Sequence, residues 1–241
     1  MNALPFLGLH KHGPILVISL ARPEKANAYH TPMLESLMQA LAHAQATPDI
    51  RALVLTGSGQ NFCAGADRNT FAQRQAEDAL SLFSGRLFDQ LAQLEKPSVA
   101  ALNGPAVGGG FELSLACDLR VGCPEALCRL PELSLGLLPA AGGVRRLQAL
   151  IGEGWTRSLV FTGRPLEPTQ ALHLGLWTEL VPATLVMEHA LLLAEQLAML
   201  DPLTFRLARG LLETSSLSAP AWLERVSQAV LYERRARMGE S

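Results

Sequence analysis

Apolar positions along the chain follow two periodicities. Ile15 to Leu20 is an unbroken β-branched and aliphatic run closed by Arg22-Pro23, which predicts a buried strand. Thr31 to Ala46 changes to helical spacing, with Met33, Leu34, Leu37, Met38 and Leu41 on one face. Thr31 suits the N-cap of this helix and Pro32 its first turn. Arg51 to Thr56 predicts a second buried strand, stopped at Gly57-Ser58-Gly59, and a polar-leaning helix is expected over Thr70 to Leu94. Pro97 to Leu102 reads as a third strand. It passes through Asn103-Gly104-Pro105 and Gly108-Gly109-Gly110 into a helix from Phe111 to about Cys117. Leu119 to Gly122 reads as another strand, Pro131-Glu132 opens a helical turn, and Gly142-Gly143 opens a helix over Val144 to Leu150. From about Leu185 onward the pattern is helical. Strands alternating with helices predict an α/β architecture.

Composition narrows the class. At 241 residues, 49% hydrophobic and 17% charged, the chain is too apolar for a disordered protein and long enough for a large core. A net charge of -2 gives no electrostatic footprint for nucleic acid, and 5% aromatics leave little for a base-stacking platform. Cys63, Cys117, Cys123 and Cys128 show no CxxC spacing and no nearby His pair, so neither a disulfide framework nor a zinc site is expected; a reduced, cytoplasmic setting fits. Met1 to Lys11 lacks the shape of a signal peptide, and no apolar run reaches the roughly 18 residues of a membrane span.

Candidate chemistry gathers at two small-residue turns, each following a strand. One is Phe62-Cys63-Ala64-Gly65-Ala66-Asp67; the other runs from Asn103 to Glu112. Such turns let backbone N–H groups approach a ligand atom closely, and a helix start behind them adds unpaired donors and partial positive charge. Two turns from different strands could aim two N–H groups at one oxygen, the geometry of an oxyanion hole. The same residues would equally serve close packing, with Glu112 complementing a helix dipole and Asp67 acting as an N-cap. Gly108 to Gly110 is followed by no Gly-Lys-Ser/Thr and lacks the GxGxxG frame; no GxSxG occurs.

Taken together, the segments resemble the enoyl-CoA hydratase/isomerase (crotonase) family. Arg22-Pro23-Glu24-Lys25-Ala26-Asn27-Ala28 looks like its RPxxxNA element, and Ala64-Gly65-Ala66-Asp67 like its AGAD turn. Asn103 to Leu113 looks like its NGxAxGGGxEL element, and Pro131 to Gly143 like its PExxxGLxPxxGG element. Matches run in order from about Ile15 to Pro182. The resemblance implies a crotonase (ClpP-like) spiral of β-β-α units over residues 1–185. A C-terminal helical oligomerisation region over 186–241, shorter than usual for the family, would build homotrimers or dimers of trimers. It further implies an acyl-CoA substrate, with the thioester oxygen held by the N–H groups of Ala66 and Gly109. The CoA would lie along Lys25, Ala26 and Ala28 and along Ala64, Gly65, Asp67 and Gly108. Glu112 and Glu132 would be the catalytic carboxyls, Glu112 activating water and Glu132 protonating Cα. Having both favours a 2-enoyl-CoA hydratase; a Δ3,Δ2-isomerase, a specialised lyase of the family and a non-catalytic acyl-CoA-binding subunit are the alternatives. No metal and no separate cofactor is implied, because CoA enters with the substrate; nor is a nucleic-acid or membrane partner.

Arg68 and Cys128-Arg129 depart from the family's pattern near its substrate region. Either Arg could pair with a carboxylate on the acyl group, or lie with its stem flat on the surface. Cys63 and Cys128 read as packing residues, His30 as structural, and Leu191, Leu192, Leu193, Leu197 and Leu200 as a helical packing face. With so short a C-terminus, a more open acyl pocket, or one closed by another subunit, is expected.

Overall fold

A computed structural model describes residues 4–70, 82–213 and 221–238. Residues Met1 to Ala198 form one compact unit and Met199 to Ser241 a second. In the first unit, β1 (Leu7–His12) and β2 (Ile15–Leu20) form an antiparallel hairpin. Parallel to β2 follow β3 (Ala52–Gly57), β4 (Ser98–Leu102), β6 (Leu119–Gly122) and β8 (Glu179–Leu180), in the sheet order β1-β2-β3-β4-β6-β8. Every residue of β3 and β4 is buried, which is why these strands read as continuous apolar runs rather than alternating ones.

Beyond β2, β3, β4 and β6 the chain turns and makes a second, much shorter ladder. β5 (Ala106–Val107) pairs with β7 (Cys128–Arg129), and single bridges join Tyr29 to Ala66, Cys63 to Ala106 and Cys128 to Leu166. Strand, turn and short second strand therefore repeat along the chain and stack on their neighbours, which is the spiral that the resemblance implied. The second ladder and β1 were not foreseen: rungs of one or two residues leave no periodicity to read, and β1 alternates on a mostly exposed edge.

Helix α1 spans Thr31–Ala46, but its N-cap is the extended His30, with Thr31 already inside the first turn and no side-chain cap bond. Of the helix expected over Thr70 to Leu94, Arg68–Thr70 forms a 3-10 turn and Phe83–Ala92 is α2, while 71–81 lie outside the described residues. Helix α3 is Gly109–Leu115. The helix expected over Val144 to Leu150 continues as α4, Gly143–Thr162, broken where Gly152 takes a non-helical conformation. After α5 (Pro168–His173), helix α6 (Val186–Ala198) packs across β2, β3, β4 and β6 and belongs to the first unit. Its buried stripe is Val186, Ala190, Ala194 and Ala198, not the leucines. Small residues at four-residue spacing let the helix lie close on strands such as β4, which themselves carry Ala100 and Ala101. Leu191, Leu193 and Leu197 flank this stripe, and Leu192 and Leu200 are exposed.

The second unit contains helices α7 (Pro202–Glu213) and α8 (Ala221–Met238), in contact with each other. Asp201 binds the Thr204 N–H and pairs with Arg234. Among the described residues no single helix is long and apolar enough to cross a membrane.

Candidate active site

The two small-residue turns lie side by side. The Val107 N–H donates to the Cys63 carbonyl at 2.9 Å, and the Cβ direction of Gly65 points within 3.3 Å of the Gly109 nitrogen. The Tyr29 N–H donates to Gly65 and the Asp67 N–H to Tyr29, so the Ala66 N–H between them faces away from that ladder. Among the described residues, neither the Ala66 N–H nor the Gly109 N–H has an acceptor. Buried or half-buried donors normally have partners, so two bare N–H groups on adjacent turns mark a place for an oxygen that is not part of the chain.

Glu112 projects from the first turn of α3 and is 3% exposed. Its Oε1 accepts the N–H groups of Ala141 at 2.9 Å and Gly143 at 2.8 Å. Burial pushes its carboxyl up to about 7, against the pull of the Gly143 N–H, and the charge of Glu132 raises it further. Glu132 opens the 3-10 turn Glu132–Leu135 behind Pro131. Burial raises its carboxyl too, while its own N–H and the Arg129 charge pull it down. Its Oε2 is buried without a hydrogen-bond partner among the described residues. Gly108 lies beneath it: φ is 54°, and a Cβ there would come within 2.7 Å of Glu132 Oε1. Only glycine accommodates both that backbone and that contact. Two carboxyls thus lie close to the turn of the unpaired Gly109 N–H, Glu132 against Gly108 and Glu112 on the first turn of α3, with Glu132 near enough to raise Glu112. The arrangement can stabilise an oxyanion and move protons near it.

The remaining expected residues lie at the other side of the Ala64–Asp67 turn. Lys25 closes an exposed 3-10 turn, and Ala26 receives the Ala64 N–H at 2.9 Å. Arg22 donates to the Ala28 carbonyl and to Asp67, tying the loop to the turn. Asp67 also accepts the Asn69 N–H, and these contacts hold its carboxyl below the usual range. Its oxygens are engaged with the scaffold, in line with the capping role weighed from sequence. His30 packs edge-on to Phe6 with ring centroids 4.5 Å apart. Cys63 and Cys128 are buried; burial pushes the Cys63 thiol up to about 12, far from thiolate chemistry. Arg68 and Arg129 are exposed.

Sequence reasoning missed the residues that hold this site in place. The loop 139–143, which supplies both donors to Glu112, was read from sequence as the end of a family motif and the start of a helix, with no contact to Glu112 expected. Arg146, nine-tenths buried, donates to the Ala141 carbonyl at 2.9 Å and pairs with Asp89. Its signal, a basic residue within the helix that follows Gly142-Gly143, was visible but unused. Among the described residues, no three His, Cys, Asp or Glu side chains converge as a metal-binding group.

The family model for enoyl-CoA hydratase/isomerase matches residues 10–231. The chain is 40% identical over 208 residues to a putative enoyl-CoA hydratase of Thermus thermophilus, covering 83% of this chain and 81% of that one. It is 35% identical over 201 residues to the 2,3-dehydroadipyl-CoA hydratase of Escherichia coli, covering 83% and 79%. Among solved structures, an enoyl-CoA hydratase from Bacillus anthracis superposes with a TM-score of 0.89 at 32% identity, covering 97% of this chain and 93% of that one. A putative enoyl-CoA hydratase from Thermobifida fusca in complex with CoA superposes with a TM-score of 0.86 at 27% identity, covering 96% and 95%.

Proposed function

Because this chain belongs to the enoyl-CoA hydratase/isomerase family, we propose that it adds water across the α,β double bond of a 2-enoyl-CoA thioester. The observation that carries the reading is that Glu112 and Glu132, both with raised carboxyls, stand near the unpaired N–H groups of Ala66 and Gly109.

In this reading the thioester oxygen sits between the Ala66 and Gly109 N–H groups. As water attacks Cβ, negative charge gathers on that oxygen as an enolate, and the two donors stabilise it more than the ground-state carbonyl. One such donor is worth roughly 3 kcal/mol. The charge of Glu132 raises the Glu112 carboxyl, so ionisation of both together is disfavoured. The two N–H groups on Glu112 Oε1 favour its ionised form, while Glu132 Oε2 has no donor and favours the proton. In the roles that the family resemblance implies, Glu112 is the base that takes the water proton and Glu132 the acid that delivers one to Cα. The reading requires no metal or separate cofactor, since CoA arrives as part of the substrate. A cytoplasmic homotrimer or dimer of trimers goes with it, as the family resemblance implies.

A Δ3,Δ2-enoyl-CoA isomerase is the second reading. It needs only a proton shuttle at Glu132, whose unpartnered Oε2 favours it, and it leaves the anchored Glu112 unused. Near-UV absorbance of crotonyl-CoA separates the cases. Wild type should consume the conjugated thioester and Glu132→Gln should not. Retention of most isomerase activity in Glu112→Ala, with no hydration by wild type, would replace the first reading by the second.

A further inference from the structure

Arg146 stands where a cation is least at home. It is the fourth residue of α4, in the turn where a helix carries partial positive charge, and it is nine-tenths buried. Burial and the neighbouring Arg145 both work against its charge, while Asp89 and Glu112 are the anions that favour it. The guanidinium divides its donors between two groups. Nη1 donates to the Ala141 carbonyl at 2.9 Å, and Nη2 pairs with Oδ1 of Asp89 on α2. The residue it grips is one of the two that grip Glu112, since the Ala141 and Gly143 N–H groups both donate to Glu112 Oε1. Arg146 therefore reaches Glu112 twice, through the backbone it fixes and through its charge, which favours the carboxylate. Packing alone does not ask for this. A methionine of similar length would fill the space without burying a guanidinium at a helix start.

We propose that Arg146 is a positioning residue of the hydration step: it holds the 141–143 backbone against Glu112 and supplies the cation that keeps this carboxylate ready as a base, while Asp89 moderates that cation. The inference rests on the hydratase reading above. The charges around Glu112 come from each side. Glu132 of the 3-10 turn raises its carboxyl and Arg146 of α4 lowers it. Asp89 of α2 and Arg145 of α4 act on Arg146, and Arg129 acts on Glu132.

Two substitutions in the one ion pair should act in opposite directions. Arg146→Met removes the cation, so Glu112 should keep its proton to higher pH, by about one pH unit. Asp89→Asn leaves an oxygen for the guanidinium but removes an anion, so Glu112 should release its proton at lower pH. Each midpoint is read twice in the full chain. One reading is the acidic limb of kcat/KM for crotonyl-CoA hydration. The other, taken without turnover, is the NMR signal of the Glu112 carboxyl carbon, assigned by its loss in Glu112→Gln. A midpoint raised in Arg146→Met and lowered in Asp89→Asn is the expected result. Shifts of the same sign, or none, overturn the proposal, because an anchor that acted only through structure would disturb the loop alike in both variants. Asp89 is 44% exposed, so Asp89→Asn decides alone where Arg146→Met does not fold; a midpoint unmoved or raised there overturns the proposal. Carboxyl midpoints that move as expected, without hydration of any 2-enoyl-CoA, would keep the action of Arg146 on Glu112 and remove the hydratase reading. Hydration of crotonyl-CoA with midpoints unmoved would do the reverse.

Discussion

Asn27 and Asn103 donate to one and the same acceptor, the carbonyl oxygen of Asn61, at 2.8 and 3.4 Å. They come from the windings on either side, after β2 and after β4, and close on the loop between β3 and its short second strand. Asn27 also donates to Ser58 and accepts the Arg22 N–H; Asn103 donates to Gly59 and accepts the Gly57 N–H. The asparagines of the two motifs are thus fasteners for the turn that presents Ala66, and not ligands themselves.

Replacing Asn27, itself fully buried, by Ala strands the Ser58 carbonyl and the Arg22 N–H and leaves the Asn61 carbonyl only its longer bond from Asn103. The expected loss is roughly 2–4 kcal/mol, read as a lower urea midpoint at unchanged slope. A loss below about 0.5 kcal/mol would mean that water takes over these bonds.

Glu112 couples stability to pH. Its folded carboxyl titrates near 7 against an ordinary value of 4.5, so the native state holds a proton that the unfolded state has released. Stability should therefore fall as pH rises from about 4.5 through about 7, by up to about 3 kcal/mol from this group. Glu112→Gln keeps an oxygen for Ala141 and Gly143 while removing the titration. Its melting temperature should match wild type near pH 5 and exceed it at pH 8; parallel curves would show that Glu112 is not perturbed.

The same group shapes turnover. Hydration needs Glu112 as an anion, so kcat/KM for crotonyl-CoA should climb with pH through about 7. A profile flat from pH 5 to 8 would remove Glu112 from the role of base.

Gly109 stands against Tyr29: a Cβ at this position would fall 2.0 Å from the tyrosine oxygen. Gly109→Ala must shift the turn, and with it one of the two unpaired donors. A fall in kcat of about 10²–10³, with the far-UV spectrum retained, is the expected outcome. Adding Tyr29→Leu gives the new methyl room and should return part of the rate; no return would place the damage elsewhere.

Much of this was legible in the chain. Apolar runs such as Ile15 to Leu20 and Pro97 to Leu102 read as strands, and the small-residue turns at 62–67 and 103–112 stood at the positions where the structure places the bare N–H groups. What escaped notice has a common cause. The rungs at Tyr29, Ala66 and Cys63 are single residues, the anchoring of Glu112 uses backbone N–H groups, and the face of α6 on the sheet is made of alanines. Features that act through main chain, or through the smallness of a side chain, leave little trace in a pattern of hydrophobic and polar letters.

The short second ladder has one more effect. Ala66, Gly109 and Glu132 stand on three consecutive windings, and each winding is held to the next there by only one or two residue pairs. A slip of one rung anywhere between Tyr29 and Arg129 would turn an N–H from one face of the ladder to the other and separate the carboxyls from the donors. Turnover in this protein is thus an assay of winding register. Partially wound chains, however much sheet they contain, have no half-active form to offer.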